Sequence, residues 1–261
     1  MSATMKFGVQ SFCFRNFKDN AEVAAKVNEL GLDQIEVCGV HADFNDVDGW
    51  RRIVDTYKQA GVQIVSLGVQ TFTGDEATER QWFECAQAAG AKYISAHFKV
   101  DSFTDAVPLA ARLGDEYDVS LAIHCHGGYS FGGAPDAMEH LLALGGPRIG
   151  LCLDTAWCMQ LGPRHGDPLA WVDRFQDRLY GVHFKDFVFG RDAMWEDVVV
   201  GTGNLDLPAF VTKLQEIGFD GYAVLEYEAD ADNPVPALAK CVDAVKRSEE
   251  HTSELQSPLC I

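Results

Sequence analysis

Eight strand-like segments alternate with eight helix-like segments along this chain of 261 residues. The strand-like segments are short and rich in β-branched or aromatic residues, whereas the helix-like segments are amphipathic. The predicted strands are 7–12, 34–37, 63–69, 92–98, 119–125, 149–154, 179–184 and 222–227. The predicted helices are 19–30, 46–60, 75–90, 104–117, 135–144, 167–177, 206–217 and 233–246. A repeat of about 30 residues for each strand and helix is typical of parallel βαβ units.

Helix-ending and helix-starting residues support these boundaries. Glycines follow four of the predicted helices, at Gly31, Gly61, Gly90 and Gly218. Glycine is favoured there because the residue after a helix often takes a left-handed conformation. Asp206 and Pro208 are typical of an N-cap and a first-turn proline for the seventh helix.

The strands are nearly continuous apolar runs, as in parallel sheets that are covered on both faces. Eight units could form a doubly wound sheet or a closed barrel. We predict the barrel, a single (β/α)8 TIM-barrel domain over residues 1–246, because polar side chains recur where the strands end and barrel enzymes concentrate chemistry there. These strand-end residues are Gln10, Glu36, His97, His124, Asp154, His183 and Glu226.

The charge balance argues against nucleic acid as a partner. The chain has 21 Lys and Arg against 39 Asp and Glu, for a net charge of −18, and such a surface repels phosphate backbones. The first residues lack a signal-peptide pattern, and no apolar run reaches the ~20 residues of a membrane span. The eight cysteines have no regular spacing, which favours reduced thiols in a cytoplasmic protein.

The last residues, 247–261, differ in composition from the rest of the chain. Residues 247–257 resemble the in-frame translation of a common sequencing-library adapter, so we expect 247–261 to be a non-native tail. The alternative is an ordinary polar tail. A verified genomic copy that encodes RSEEHTSELQS would support that alternative.

Four strand ends in the second half of the chain carry side chains that can bind a metal: His124, Asp154, His183 and Glu226. Strand ends converge at the mouth of a barrel, so these side chains are predicted to form one divalent-metal site. A mixed imidazole and carboxylate set suits Mn²⁺ best, with Zn²⁺, Co²⁺, Fe²⁺ or Mg²⁺ as alternatives. Taken singly, a histidine at a strand end is more often hydrogen-bonded in the core, and an acidic residue there often caps the next helix.

Up to about residue 246 the chain resembles the xylose-isomerase-like barrels, which include sugar isomerases, epimerases and inosose-type dehydratases and are related in fold to endonuclease IV. The motifs that carry the resemblance are His183 to Asp186, Asp154 to Trp157 with the later Asp167–Pro168, Gly201 to Asp206, and Gly221 to Glu228. The resemblance implies a metal held by Glu, Asp, His and Glu, of which Asp154, His183 and Glu226 match.

The chain departs from the family pattern at two positions. His124 stands where the family usually has a glutamate, and Trp157 replaces a common histidine. The resemblance implies proton transfer beside a metal-bound carbonyl, with Glu226 as one base. His126 lies two residues after His124 and is predicted to be an acid or base, or else a structural hydrogen-bonding residue. Lys185 is predicted to stabilise an enolate or to form an ion pair with Asp186 or another carboxylate.

Three further residues are candidate substrate ligands. Trp157 is predicted to pack against a sugar, and Glu36 and His97 to bind its hydroxyl groups. The Gly201–Gly203 segment could hold a phosphate ahead of a helix. Because no cluster of Lys or Arg lies nearby in the sequence, we expect an unphosphorylated sugar or polyol as the small-molecule substrate.

Four functions remain open from the sequence. The first is a metal-dependent isomerase or epimerase of a keto-sugar. The second is a lyase, either a dehydratase, a hydratase or an enzyme that cleaves C-glycosides of a 3-keto-sugar. A DNA-repair endonuclease would need more metal ligands than the chain offers, and a non-catalytic sugar-binding barrel would have lost the chemistry. The chain could also form a homo-oligomer.

Overall fold

Ten strands and nine α-helices occur in residues 5–127, 132–192 and 194–256, the part of the chain that the computed structural model describes. The strands are β1 (Gly8–Gln10), β2 (Gln34–Val37), β3 (Gln63–Phe72), β4 (Tyr93–Phe98), β5 (Ser120–His124), β6 (Ile149–Asp154), β7 (Leu179–Phe184), β8 (Asp186–Phe189), β9 (Trp195–Val198) and β10 (Tyr222–Leu225). The helices are α1 (Asn20–Glu29), α2 (Val47–Gln59), α3 (Glu76–Ala89), α4 (Phe103–Tyr117), α5 (Pro135–Gly145), α6 (Thr155–Met159), α7 (Pro168–Phe175), α8 (Leu207–Glu216) and α9 (Val235–Gln256).

Eight of the strands close into a parallel barrel in the order β1-β10-β7-β6-β5-β4-β3-β2. Val9 of β1 pairs with Ile35 of β2 on one side and with Leu225 of β10 on the other, which closes the ring. The predicted (β/α)8 TIM barrel is therefore confirmed. All eight predicted strands and helices are present, with differences of at most three residues at their ends except at the end of the last helix, which runs ten residues further.

Aspartate side chains begin six of the described helices, and one of the six is Asp154 at α6. Asp19, Asp46, Asp75, Asp167 and Asp206 each accept a hydrogen bond from a backbone N–H in the first turn of the helix that follows. A carboxylate here satisfies an otherwise unpaired donor and interacts favourably with the helix dipole. The predicted cap at Asp206 is among them. The four glycines predicted to end helices all have positive φ angles, between 65° and 74°.

Two elements were not predicted from the sequence. The one-turn helix α6 starts directly after β6, and a hairpin of β8 and β9 separates β7 from α8. The hairpin is antiparallel and lies outside the barrel, with Phe187 opposite Asp197 and Phe189 opposite Trp195. Because side chains alternate along a strand, these four residues share one face of the hairpin.

Helix α9 continues past Lys246, the predicted end of the native barrel, to Gln256. Oε1 of Glu249 accepts a hydrogen bond from the backbone N–H of Met5 at 2.7 Å. In the described residues, no helix is long and apolar enough to cross a membrane. The seven cysteines between Cys13 and Cys241 are free and buried, as expected for reduced thiols, and Cys260 lies outside the described residues.

Candidate metal centre

The four candidate metal ligands come together at the C-terminal end of the barrel. His124, Asp154, His183 and Glu226 each offer a ligand atom, and these atoms all lie within 4.8 Å of one another. Nε2 of His124 is 3.4 Å from Oδ2 of Asp154 and 4.0 Å from Oε2 of Glu226. Nδ1 of His183 is 2.6 Å from the same Glu226 oxygen. The predicted grouping of these side chains is thus observed in the structure.

Strand register explains this convergence. Asp154, the last residue of β6, is the pairing partner of His183 in β7. His124 ends β5, the other neighbour of β6. Glu226 follows β10 directly, and its backbone N–H donates to the carbonyl of Phe184 at 3.0 Å. Four neighbouring strands, β5, β6, β7 and β10, therefore bring side chains at or beside their C-terminal ends to one point.

The cluster fits a divalent metal because several buried polar atoms face each other without hydrogen-bond partners. Nε2 of His124 and Oδ2 of Asp154 are among the buried atoms that lack one, a costly state unless an ion satisfies them. The other atom of each group is held by the protein. Oδ1 of Asp154 accepts from the N–H of Trp157 at 2.9 Å, and Nδ1 of His124 lies 3.3 Å from Nε2 of His97.

Glu36 lies beneath the cluster and has no exposed surface. Its Oε1 accepts a hydrogen bond from Nε2 of Gln10 at 2.6 Å, and its Oε2 accepts one from the hydroxyl of Ser95. Nε2 of His183 is 3.1 Å from Oε1 of Glu36, an ion-pair contact without the alignment of a hydrogen bond. Burial opposes ionisation of Glu36, but the positive charge of His183 and the polar contacts with His183, Ser95 and Ser66 outweigh it and lower the pKa of Glu36.

Lys185 is buried, with 1% of its side chain exposed, and is surrounded by carboxylates. Its Nζ contacts Glu228, lies 3.3 Å from Oε1 of Glu226 and lies 3.9 Å from Oδ2 of Asp197. Burial alone would lower the pKa of Lys185, but the negative charges, that of Glu226 first, raise it above its ordinary value. Lys185 is therefore an ammonium ion beside the cluster, and it forms ion pairs with carboxylates other than Asp186.

Asp186 is not the partner of Lys185, although the sequence offered it as one. Its two oxygens accept four backbone N–H groups from the loop that follows the hairpin, at distances between 2.8 and 3.0 Å. The donors are Gly201, Gly203, Asn204 and Leu205. The amides of the glycine-rich segment are thus already bonded to a carboxylate and are not available for a phosphate. This agrees with the expected preference for an unphosphorylated substrate.

Aromatic rings form a wall beside the cluster. His126 stacks on Trp157 with ring centroids 4.0 Å apart and an interplanar angle of 26°. Phe187 and Trp195 of the hairpin meet Trp157 edge-on at 5.0 and 5.2 Å. Trp195 is 40% exposed, so this aromatic wall reaches from the cluster to solvent.

The two remaining imidazoles of this region are held in the neutral form. Burial, reinforced by the neighbouring His124 and His126, lowers the pKa of His97 to about 3. Burial and the charge of His124 also lower the pKa of His126. His97 is half-buried, and its Nε2 contacts Nδ1 of His124. His97 therefore lies next to one of the four candidate metal ligands.

Sequence reasoning missed Asp197 and assigned no role to Glu228. Asp197 belongs to the hairpin, which the strand and helix pattern did not reveal. Its Oδ2 accepts the backbone N–H of Glu228 at 3.2 Å, whereas its Oδ1 is buried without a hydrogen-bond partner among the described residues. Burial raises the pKa of Asp197 to about 7, although Lys185 opposes this. The segment Trp-Glu-Asp-Val at 195–198 does not alternate apolar and polar residues, so no period of two marked this strand in the sequence.

Fold and site together define a (β/α)8 barrel with a candidate divalent-metal centre at its C-terminal face. The chain belongs to the xylose isomerase-like TIM barrel family, whose profile matches residues 24–248.

The curated relatives of this chain include a rhizopine catabolism protein and an inosose dehydratase. The chain is 30% identical over 142 residues to the rhizopine catabolism protein MocC of Rhizobium meliloti, covering 49% of this chain and 42% of that protein. It is 28% identical over 154 residues to an inosose dehydratase of Lacticaseibacillus casei, covering 51% of this chain and 50% of the dehydratase. The matches thus span about half the length of these curated relatives.

The structure of an L-ribulose 3-epimerase has the same fold. It superimposes with a TM-score of 0.74 at 16% identity, covering 99% of this chain and all of the epimerase. At 16% identity this superposition is evidence for a shared fold, whereas the relatives matched by sequence include an enzyme, the inosose dehydratase.

Proposed function

We propose that this chain is a divalent-metal-dependent dehydratase of an unphosphorylated keto-sugar or keto-polyol. In this reaction a base removes a proton from the carbon next to a carbonyl, and the electron pair forms an enolate. As the carbonyl re-forms, a double bond forms between the α- and β-carbons and the β-carbon–oxygen bond breaks. The departing hydroxyl takes up the proton from the protonated base and leaves as water. This places elimination ahead of isomerisation, the reverse of the order expected from the sequence.

The observation that carries this choice is the asymmetry of the groups around the cluster. On the β5 side stand the imidazoles of His97, His124 and His126, with no carboxylate in the position where the family usually has one. On the other side stand Glu226 and the ammonium group of Lys185. Epimerisation by two carboxylates on opposite substrate faces lacks its second carboxylate here. A neutral base facing a cation instead suits elimination.

Each residue then receives a role that its surroundings support. His126, neutral and half-buried, acts as the base. Lys185 stabilises the negative charge that develops on the enolate oxygen, because a fixed charge in a water-poor site acts strongly. Trp157 packs against the C–H face of the substrate. Glu36 supports His183 and His97 supports His124, in place of the substrate contacts first expected for Glu36 and His97.

His124, Asp154, His183 and Glu226 would hold the metal, and a bound divalent ion would supply Lewis-acid polarisation of the carbonyl. Two imidazoles and two carboxylates suit Mn²⁺ first and Zn²⁺ second.

Isomerisation remains the second candidate because Glu226, itself one of the four cluster residues, can serve as a single base. One carboxylate on one face can carry a proton between adjacent carbons. Lys185, 3.3 Å from Glu226, would stabilise the enediolate in the same way. The two reactions thus share the first proton abstraction and differ in the next step. Elimination expels water, whereas isomerisation returns the proton to the adjacent carbon.

Proton NMR in deuterated water separates the two reactions. Purified protein loaded with Mn²⁺ or Zn²⁺ would be incubated with inososes, ketoses and 3-keto-glycosides, and products followed by NMR and mass spectrometry. Loss of one water supports the dehydratase. Deuterium uptake with no loss of mass supports the isomerase, and release of an aglycone supports a C-glycoside lyase. Metal-loaded protein that exchanges no proton in any of these compounds would contradict all three.

A further inference from the structure

A continuous polar path runs inside the barrel from the candidate metal centre toward its opposite end. The interior of such barrels is usually filled by layers of bulky apolar side chains. Here five polar side chains lie in the interior, each at most 3% exposed. They are Gln10, Glu36, Ser66, Ser95 and Tyr222, from strands β1, β2, β3, β4 and β10. We call this set the polar column.

The polar column is connected by hydrogen bonds. The hydroxyl of Tyr222 is hydrogen-bonded to that of Ser95, and Ser95 donates to Oε2 of Glu36. Because the Ser95 proton is committed to Glu36, Tyr222 must be the donor to Ser95. Oγ of Ser66 lies 3.5 Å from Oγ of Ser95. At the upper end, Oε1 of Glu36 lies 3.1 Å from Nε2 of His183.

We propose that Ser95 and Tyr222 are positioning residues of the metal centre, which act through Glu36 to orient His183 and so set the affinity for a divalent metal. This inference rests on the metal binding in the proposed function but not on the reaction or its substrate. Neither residue touches the four candidate ligands through a hydrogen bond in the described structure.

The physical basis is the demand that metal binding places on His183. Its Nδ1 faces Glu226 at 2.6 Å and is the nitrogen directed at the cluster. To offer a lone pair there, the ring must carry its proton on Nε2. A carboxylate at Nε2 favours that tautomer and makes the ring a better donor to the metal. The hydroxyl of Ser95, which accepts a hydrogen bond from Tyr222, stabilises the negative charge of Glu36. A change at Tyr222 is therefore expected to reach His183 through Ser95 and Glu36.

The lower end of the polar column borders a cavity, and one residue that lines this cavity can serve as a control. Tyr222 and Tyr93 both line a cavity of about 480 Å³ at the N-terminal end of the strands. Their rings lie 5.2 Å apart. The hydrogen bonds of the described residues include none between the Tyr93 hydroxyl and the polar column. Tyr93→Phe therefore changes the same cavity without changing the path to Glu36.

The test is the dissociation constant for Mn²⁺ and Zn²⁺, measured by chelator competition on metal-free protein. We expect Ser95→Ala to weaken binding about tenfold, within the range known for groups that support metal ligands. Tyr222→Phe should weaken it about threefold, since it leaves Ser95 in place but without its donor. Tyr93→Phe should bind like the wild type.

Two outcomes would overturn the inference. One is wild-type affinity, within about twofold, in both Ser95→Ala and Tyr222→Phe while their thermal unfolding remains cooperative. The other is a wild-type protein that binds no divalent metal. Wild-type protein that binds metal but converts no sugar would contradict only the proposed reaction. Tyr222→Phe keeps the aromatic ring, so it decides the question if Ser95→Ala does not fold.

Discussion

The ammonium nitrogen of Lys185 lies 3.3 Å from Oε1 of Glu226, whose other oxygen belongs to the candidate metal cluster. One carboxylate thus joins a buried cation to the ion site. Glu226 remains ionised because Lys185 and His183 lower its pKa well below the ordinary range, against the effect of burial. An ionised Glu226 can bind a metal, and the same contact holds Lys185 at the substrate side.

Lys185→Met should separate catalysis from metal binding. We expect kcat to fall by about 10²–10³, because the enolate loses its charged partner. The affinity for Mn²⁺ should not weaken, since removal of a neighbouring positive charge favours a cation. Steady-state kinetics and chelator competition on the same preparation measure the two effects. Lys213→Met, which removes an exposed ion pair with Asp173, is the control. Weakened metal binding in Lys185→Met would argue that Lys185 has a structural role.

Divalent metal should stabilise the fold through the four-residue cluster. At a metal concentration 100-fold above the dissociation constant, the free energy of unfolding should rise by about 2.7 kcal/mol. Asp154→Asn should abolish most of this gain in thermal unfolding experiments. Asp167→Asn is a matched control, because Asp167 also caps a helix on the same face of the barrel but is exposed and outside the cluster. Equal stabilisation of both variants would contradict a metal site at Asp154.

His124→Glu should have opposite effects on the metal-free and metal-bound protein. A carboxylate at this position would face Asp154 and Glu226, whose oxygens lie 3.4 and 4.0 Å from Nε2 of His124. Without metal the added repulsion should lower Tm. With Mn²⁺ the added charge should tighten binding about tenfold and raise Tm. His140→Glu, the same change at an exposed histidine of α5 that lies outside the cluster, should show neither response. A lower Tm with and without Mn²⁺ would count against a cation between these groups.

Asp197 should make stability depend on pH in an unusual direction. Its pKa is about 7 in the folded protein against an ordinary value of 3.8. Between pH 3.8 and about pH 7, Asp197 keeps its proton in the folded protein but has lost it in the unfolded chain. The contribution of Asp197 to the free energy of unfolding therefore falls as pH rises through this range and stays low above about pH 7. Asp197→Asn removes this cost.

We therefore expect metal-free Asp197→Asn to be more stable than the wild type at pH 8, by about 1–3 kcal/mol. The difference should shrink toward pH 4. Urea unfolding across this pH range measures it. Glu196→Gln, at an exposed neighbouring position of the same strand, should give a difference that does not change with pH. A constant difference for Asp197→Asn as well would show that Asp197 is ionised throughout.

The barrel and the four candidate ligands were predictable because both follow from strand periodicity. Parallel strands bring their C-terminal ends to one mouth, so the residue types at those ends indicate the site. Glu36 was placed correctly at a strand end, but its burial depends on side chains from several other strands. Sequence spacing carries no information about how deep in the barrel a side chain lies.

The hairpin was not predictable in the same way. Its strands are four residues each and sit between β7 and α8, where a loop was expected. Asp197 lies in this hairpin, and the fold of the hairpin brings it next to Lys185. Contacts made by an insertion depend on how the insertion folds back, which the eightfold repeat does not specify. The partner of Asp186 was missed for the same reason, since it is a loop more than ten residues away in sequence.

Among the described residues, the hairpin β8–β9 has no strand pairing with the barrel, yet it contributes Phe187, Trp195 and Asp197 to the mouth. Its length and sequence can therefore change without shifting any strand that positions a candidate ligand. Under the proposed function, substrate preference can diverge by exchange of this one short segment while the four candidate metal ligands are retained. Grafting hairpins between relatives is then a direct route to altered selectivity in this scaffold.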